Sequence, residues 1–464
     1  MKPLQRRAAL AVAVGLALAQ ASFVSSQSFS PLRARDPGVR GGPAGAGGPI
    51  SALTPREVQF FSAGLDEFAE VEEVDEGLGP TLNLDSCGGC HAQPAIGGSS
   101  PAVNPQVAFA RKLGARNSIP AFIRENGPVR EARFVRNADG SPDGGVHALF
   151  TIAGRSDARG CSLAQPDFAA HLAARNVVFR IPTPLFGAGL IELIPDDAIL
   201  ANGAASAAAG AALGIRGRAN FSVSGRAVSG QANANGNDGT VARFGWKAQN
   251  KSLLLFSGEA YNVEMGITSE LFPTERDETA GCQFAPTPND VLNTEARTPL
   301  EAVGAIDKFS AFQRFLAPPE PSRTSPGGSA SIDRGRTLFS SVGCALCHTP
   351  TLKTGNTTVA ALRNREANLY SDLLVHDMGP GLADHVSQGQ AGGRDFRTAP
   401  LWGLGKRIFF LHDGRTSDLL EAIQAHRSGS RQSGDASEAN DVVNRFNDLP
   451  EVAKQDVLNF LRSL

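Results

Sequence analysis

Methionine is scarce in this chain of 464 residues: beyond Met1 it has only Met265 and Met378. A site that needs a thioether from methionine therefore has two candidates. Past the N-terminus no run of 18 continuous apolar residues occurs, which argues against a later membrane helix. Excess basic charge is missing too. The formal net charge is −2, and −5 once Lys2, Arg6 and Arg7 are discounted, so the chain is not built as a nucleic-acid binder. Cysteine is limited to six residues. Only two Cys-x-x-Cys pairs occur, far apart, so a four-sulfur zinc site is not favoured. No stretch follows a collagen or coiled-coil repeat.

Apolar residues make up 41% of the chain, enough for real cores, while 51 glycines and 29 prolines predict much loop. The length suggests two or three domains. "MKPLQRR" is basic and is followed by the small, apolar "AALAVAVGLALAQA". Ala17-Leu18-Ala19 and Ala19-Gln20-Ala21 both fit a small-x-small cleavage site. Residues 1–21 are thus expected to be a signal peptide that exports the chain to the periplasm, an oxidising compartment. Residues 22–50, rich in glycine, proline and arginine, are expected to be flexible.

Two short stretches carry the chemistry. "SCGGCHAQP" begins at Ser86, and "GCALCHTP" begins at Gly343; Cys344 lies 257 positions after Cys87. Each contains Cys-x-x-Cys-His. A loop this short can offer two sulfurs to the two vinyl groups of one haem while the adjacent histidine binds iron from one face. Cys87, Cys90 and His91 form the first such set, and Cys344, Cys347 and His348 the second. A thiol-exchange pair or half a zinc site would not require both histidines. Two covalently bound c-type haems are therefore expected. Cys161 and Cys282 remain, as a candidate disulfide on an exported chain.

Each motif follows a predicted helix. Thr54 can cap a helix over Thr54–Val74, with Pro55 in its first turn and Glu57 three residues on. "DDAILANGAASAAAGAALG" and Val303–Ala317 read as further helices, and "QANANGNDGTVARFG" as a long loop with turns. "PPEPSRTSPGGSA" has four prolines and no apolar period. It predicts a linker at 318–330 between an N-terminal haem domain, 51–317, and a C-terminal one, 331–464. "SIDRGRTLFSSVG" reads as the helix leading into the second motif, and the tail as an amphipathic helix after a turn at Leu449-Pro450.

Each iron needs a sixth ligand or keeps an open face, and that choice separates electron transfer from reaction with a small oxidant. The residues alone leave His147, His171, His376, His385, His412, His426 and the two methionines as candidates. Trp246 and Trp402 are the only tryptophans. Either can stand between haems or simply fill core.

"FRTAPLWGLGKRIFFLHDGRTSDLLEAIQAH", from Phe396 to His426, resembles the C-terminal segment of the bacterial di-haem cytochrome c peroxidase and MauG superfamily. "YSDLLVHDMGPGLAD", "ARFGWKAQNKSLLLFSGEAYNVEMGITSELFP" and "FRIPTPLFGAGLIELIPD" are similar to the di-haem oxidoreductase family within it, also called thiol oxidoreductase-like. The likeness runs from about residue 50 to 464. It implies a mainly α fold of two cytochrome c-like haem domains, with long glycine-rich loops and some short strands. It places the sixth ligand of the second iron at His426, 14 residues after His412, with Met378 as the alternative. His412 and Arg415 would then hold haem propionates, and Trp402, in "PLWGLG", would touch a haem. The glutamate over the first iron would be Glu264 in "YNVEMG", although Val263 stands where the peroxidase pattern has proline; Glu192 is the second candidate. A carboxyl group there can carry a proton for peroxide.

The resemblance also implies a calcium ion between the domains, for which this sequence marks no ligands. The reading that follows is a di-haem redox enzyme that reduces hydrogen peroxide or a related oxidant at the N-terminal haem. Electrons would come from a small soluble partner through the C-terminal haem. A non-enzymatic electron-transfer cytochrome and a MauG-like oxidant of a partner protein are the alternatives.

Overall fold

The structure, a computed structural model, describes residues 33–221, 227–228, 231–232 and 240–464. The expected signal, 1–21, lies outside the described residues, as do the first part of the 22–50 segment and part of the glycine-rich stretch after Gln231. Ala34–Leu464 form one compact unit, mainly helical. No helix among the described residues is long and apolar enough to cross a membrane.

Helix α1 spans Pro55–Ala69. The Thr54 side chain accepts the Glu57 amide while Glu57 reaches back to the Thr54 amide, so both ends of the capping box are closed. The first motif follows as a single turn, α2, Cys87–Cys90. Later come α3, Asp196–Gly210, α4, Leu253–Met265, and α5, Ala305–Phe315. A side chain at Gly64 of α1 would run into the backbone carbonyl of Lys308 and into Phe312 of α5. Glycine thus lets the two helices touch, and Phe68 packs on Phe309 and Phe312 at 5.8 and 5.1 Å.

The second motif repeats this arrangement. Helix α6, Ser329–Val342, leads into Cys344. It is followed by α7, Leu419–Ala425, α8, Asn440–Asn447, and α9, Glu451–Ser463. Gly335 of α6 lies against the Asp456 carbonyl of α9, and Phe339 packs on Phe460 at 5.4 Å. In both halves the phenylalanine at this contact also touches the motif histidine: Phe68 meets His91 at 5.7 Å and Phe339 meets His348 at 6.2 Å.

Strands are short. β1, Glu131–Phe134, is the centre of a three-stranded antiparallel sheet with β2, Val146–His147, and β3, Val177–Arg180, and it sets Glu131 opposite Arg180. β4, Val375–Asp377, pairs with β5, Asp395–Arg397.

The stretches read as a flexible segment, 22–50, and as a linker, 318–330, both carry backbone bonds where they are described. Within 22–50, the described part from Ala34 onward is a bonded strap. The Asp36 carboxylate takes two bonds from Arg462 and one from the Leu419 amide, and the Arg40 amide donates to the Gly405 carbonyl at 2.7 Å. The 318–330 stretch is bonded too: the Glu320 amide donates to Gly45 and the Ser322 amide to Ser463. The largest apolar core also crosses this stretch, joining Leu82, Phe150 and Phe312 to Leu362, Leu369 and Leu373. A strip without apolar periodicity is held here by its backbone groups, whose partners lie far along the chain.

Gly335→Val should lower stability by about 1–3 kcal/mol, since the added atoms meet a fixed backbone carbonyl. The midpoint of chemical denaturation measures it; an unchanged midpoint would contradict the close crossing of α6 and α9.

Candidate functional site

Each motif opens onto its own cavity. The first cavity is lined by Cys87, Cys90 and His91. Helix α4 supplies Phe256, Glu259, Ala260, Val263 and Glu264, whose spacing is a single helical stripe. The three-stranded sheet supplies Glu131 and Arg133, two residues apart and so on one face, with Arg180 opposite Glu131. The wall facing these groups is therefore rich in charge. Glu131 Oε1 lies 2.5 Å from Arg133 Nε, and the Asn83 amide donates to Glu264 Oε2 at 2.7 Å. Burial and the neighbouring Glu131 hold the Glu264 carboxyl well above its usual range, while Arg133 keeps Glu131 below it despite burial.

The second cavity is different. Cys344, Cys347, His348 and His426 line it together with mostly apolar side chains. Leu419, Ala422, Ile423 and His426 make one stripe of α7 and its cap, and Ala439, Val442, Val443 and Phe446 make another on α8. His426 thus occupies the last place of an otherwise apolar face. Met378 also lines the cavity, against Leu382 and Phe396.

Three histidines share one feature. His91 Nδ1 bonds the Gly98 carbonyl at 3.0 Å, His348 Nδ1 the Tyr370 carbonyl at 3.0 Å, and His426 Nδ1 the Ala422 carbonyl at 2.7 Å. A carbonyl only accepts, so Nδ1 carries the proton and Nε2 offers a lone pair. Burial pushes His91 and His348 down to about 4 and also lowers His426, so all three are neutral at pH 7. A neutral imidazole fixed through Nδ1 is what a metal-ligating histidine requires.

The cavities suit a porphyrin in another respect. In the second, Arg397 and Arg407 have no carboxylate within ion-pair distance, and burial pushes both guanidinium groups down to about 10. In the first, Arg180 Nε, Gln249 Oε1 and Gln313 Oε1 are buried without hydrogen-bond partners. Two guanidinium groups without an ion-paired carboxylate among the described residues, in the cavity of Cys344 and Cys347, fit a haem with its propionates.

Not every expected residue lies at a cavity. Glu192 is bonded to Arg314 and to the Leu253 amide, a structural role away from both. Arg415 is spent on Asp413 and the Gly381 carbonyl. Trp402 packs on Gly187 within the core. Trp246 instead lines both cavities, with its Nε1 donating to the Ile181 carbonyl at 2.9 Å. His412 lines the second cavity, stacked on Phe396 at 4.3 Å and 6.4 Å from the Trp246 ring. Cys161 and Cys282 form a disulfide. Among the described residues no group of three or more His, Cys, Asp or Glu side chains could hold a metal ion, so the expected calcium has no such cluster.

Sequence reasoning missed Glu131, Arg133, Arg397 and Arg407, and gave His376 only as one candidate ligand among several. The last is buried beside Cys347 and clamped by Asp372 and Glu438 at 2.9 and 2.8 Å. The alternation in "REARF" was the available signal for the first two: charge faces one way, and Ala132 and Phe134 face the core.

Residues 129–464 match the sequence profile described as "Di-haem oxidoreductase, putative peroxidase". The chain belongs to this family. No curated protein sequence matches it. Among solved structures, this di-haem oxidoreductase is similar to the hydrazine synthase of Kuenenia stuttgartiensis: 17% identity, 36% of this chain and 56% of that one, TM-score 0.21. It is also similar to the dihaem peroxidase BthA of Burkholderia thailandensis E264: 16% identity, 48% of this chain and 65% of that one, TM-score 0.28. A third is a MauG-like protein associated with microbial copper homeostasis: 18% identity, 47% of this chain and 68% of that one, TM-score 0.28. The chain thus spans less than two thirds of the length of the first two.

Between the cavities lies a buried charge network. Asp384 holds Arg180 at 2.7 Å and Lys247 at 2.9 Å, all three closed to solvent. Asp384→Asn leaves two cations short of their anion and should cost about 3–5 kcal/mol. The native contribution comes from a carboxylate held below its usual range by both cations, although burial alone would raise it. It is complete above about pH 4, the unfolded value, and falls away as pH drops through the lower folded one. Denaturation titrations at neutral and acidic pH check both statements; equal stability of variant and wild type at pH 7 would contradict them.

Proposed function

We propose that this di-haem oxidoreductase is an exported peroxidase-like enzyme that reduces hydrogen peroxide or a related small oxidant at its first cavity. Two haems, held covalently by Cys87 and Cys90 and by Cys344 and Cys347, would supply the one-electron chemistry, the first facing the oxidant and the second receiving electrons from a small soluble partner. The observation that carries the reading is the difference between the two cavities. The first cavity is lined by His91 together with carboxyl and guanidinium groups, whereas the second is lined by His348 and His426 among mostly apolar side chains.

The chain's own residues divide the work. His91, His348 and His426 are the iron ligands, oriented through Nδ1 by backbone carbonyls. Arg397 and Arg407 hold propionates at the second site, the role that His412 and Arg415 were expected to fill. Glu264, steadied by Asn83, keeps a proton at its carboxyl and offers it to an oxygen of the bound oxidant. Trp246 is the one side chain lining both cavities among the described residues and serves as the electron bridge, with Ile181 fixing its ring. His412 supports that ring from the second side.

The test is electron paramagnetic resonance of the purified holoprotein, made in a host that matures c-type cytochromes. Wild type should show one high-spin and one low-spin ferric signal, and His426→Ala should lose the low-spin one. Two low-spin signals in the wild type, with no change on adding peroxide, would overturn the enzymatic reading in favour of plain electron transfer.

A further inference from the structure

Glu264 does not meet the first cavity alone. From the sheet it is faced by Glu131 and Arg133, which share one side of β1, and Arg180 of β3 stands opposite Glu131. From the segment ahead of the first motif it is held by Asn83. On its own helix Glu259 lines the same cavity, bonded by Asn250. Cys87, Cys90 and His91 close the remaining side.

Two carboxyl groups in one cavity screened from bulk water cannot both carry charge without a large cost. The arrangement decides which one does. Arg133 Nε lies 2.5 Å from Glu131 Oε1, on the same strand and two residues on, so Glu131 has a built-in cation. Glu264 is bonded by the neutral Asn83 amide, and Arg133 acts on it less strongly than the neighbouring Glu131 does. The anion therefore stays on Glu131 and the proton on Glu264.

We propose that Glu131, anchored by Arg133, is a positioning residue that holds the cavity's single proton on Glu264, so that a small oxidant meets an acid there and not a base. The inference rests on the reading of Glu264 as the proton carrier. It deepens that reading by naming the preferred ligand: a small, proton-accepting oxidant, neutral or weakly acidic, of which a peroxide is the plainest example. The step itself is a proton transfer alone, from the Glu264 carboxyl to a ligand oxygen. It leaves Glu264 as carboxylate beside Glu131, a state that favours prompt return of a proton from solvent. The direction agrees with the raised Glu264 and lowered Glu131 affinities.

The experiment is an infrared pH titration of the protonated-carboxyl band in the resting holoprotein, with no oxidant added, over about pH 5 to pH 10. In wild type a band that vanishes in Glu264→Gln should persist above neutral pH. In Glu131→Gln its midpoint should fall by about one pH unit or more, a tenfold loss of proton affinity. In Arg133→Gln the midpoint should rise, because the carboxyl pair then holds its one proton without the nearby cation that opposes protonation. Shifts of opposite sign are not produced by general loosening, and Arg133→Gln carries the test if Glu131→Gln does not fold. An unmoved midpoint in Glu131→Gln, or in Arg133→Gln where only that variant folds, overturns the role of Glu131 while Glu264 stands. A band that survives in Glu264→Gln overturns the reading of Glu264 itself.

Discussion

A backbone carbonyl takes the Nδ1 proton of three imidazoles that line the cavities: Gly98 for His91, Tyr370 for His348 and Ala422 for His426. Everything else in the structure depends on this bond. It sets the tautomer, directs Nε2, and with burial keeps each ring neutral. Two of these carbonyls, at Gly98 and Tyr370, belong to loops, and the third, at Ala422, to α7. The phenylalanine contacts of α1 with α5 and of α6 with α9 hold the rings of His91 and His348 in place, and both helix pairs approach through a glycine.

The same frame yields two unlike sites because different elements close it. The first cavity is completed by a sheet face and by the stripe of α4, which bring carboxylates and guanidinium groups together. The second is completed by α7 and α8, whose stripes are apolar except for His426. One is equipped for proton chemistry and the other for a closed coordination shell. Trp246 belongs to both walls, and the Arg180–Asp384–Lys247 network locks the strands around it.

Much of this was legible in the chain. Both Cys-x-x-Cys-His motifs, the capped helix after Thr54, and the helices before Cys344 and at the C-terminus follow from local patterns, while Glu264 was marked only by the family resemblance. What escaped had non-local causes. The strap from Ala34 to Ile50 is held by Arg462, Gly405 and Phe315, hundreds of positions away. Trp402 and Trp246 look alike in sequence, and only tertiary packing puts one in the core and the other between cavities. Arg415 pairs with its neighbour Asp413, leaving Arg397 and Arg407 of the same motif, to which the resemblance gave no role, to face the second cavity. Glu131 lies on a strand of four residues, too short for its alternation to stand out.

Two porphyrins joined through sulfur at Cys87, Cys90, Cys344 and Cys347 are the premise on which the histidines, the arginines and the two cavities make chemical sense. The most direct measurement is the intact mass of the holoprotein after acid denaturation, which strips haem that is not covalently bound. The account predicts a mass greater than the polypeptide by two haems, falling by one haem when Cys87 and Cys90 are both replaced by alanine. A mass equal to the polypeptide alone, from a host that matures c-type cytochromes, would contradict it.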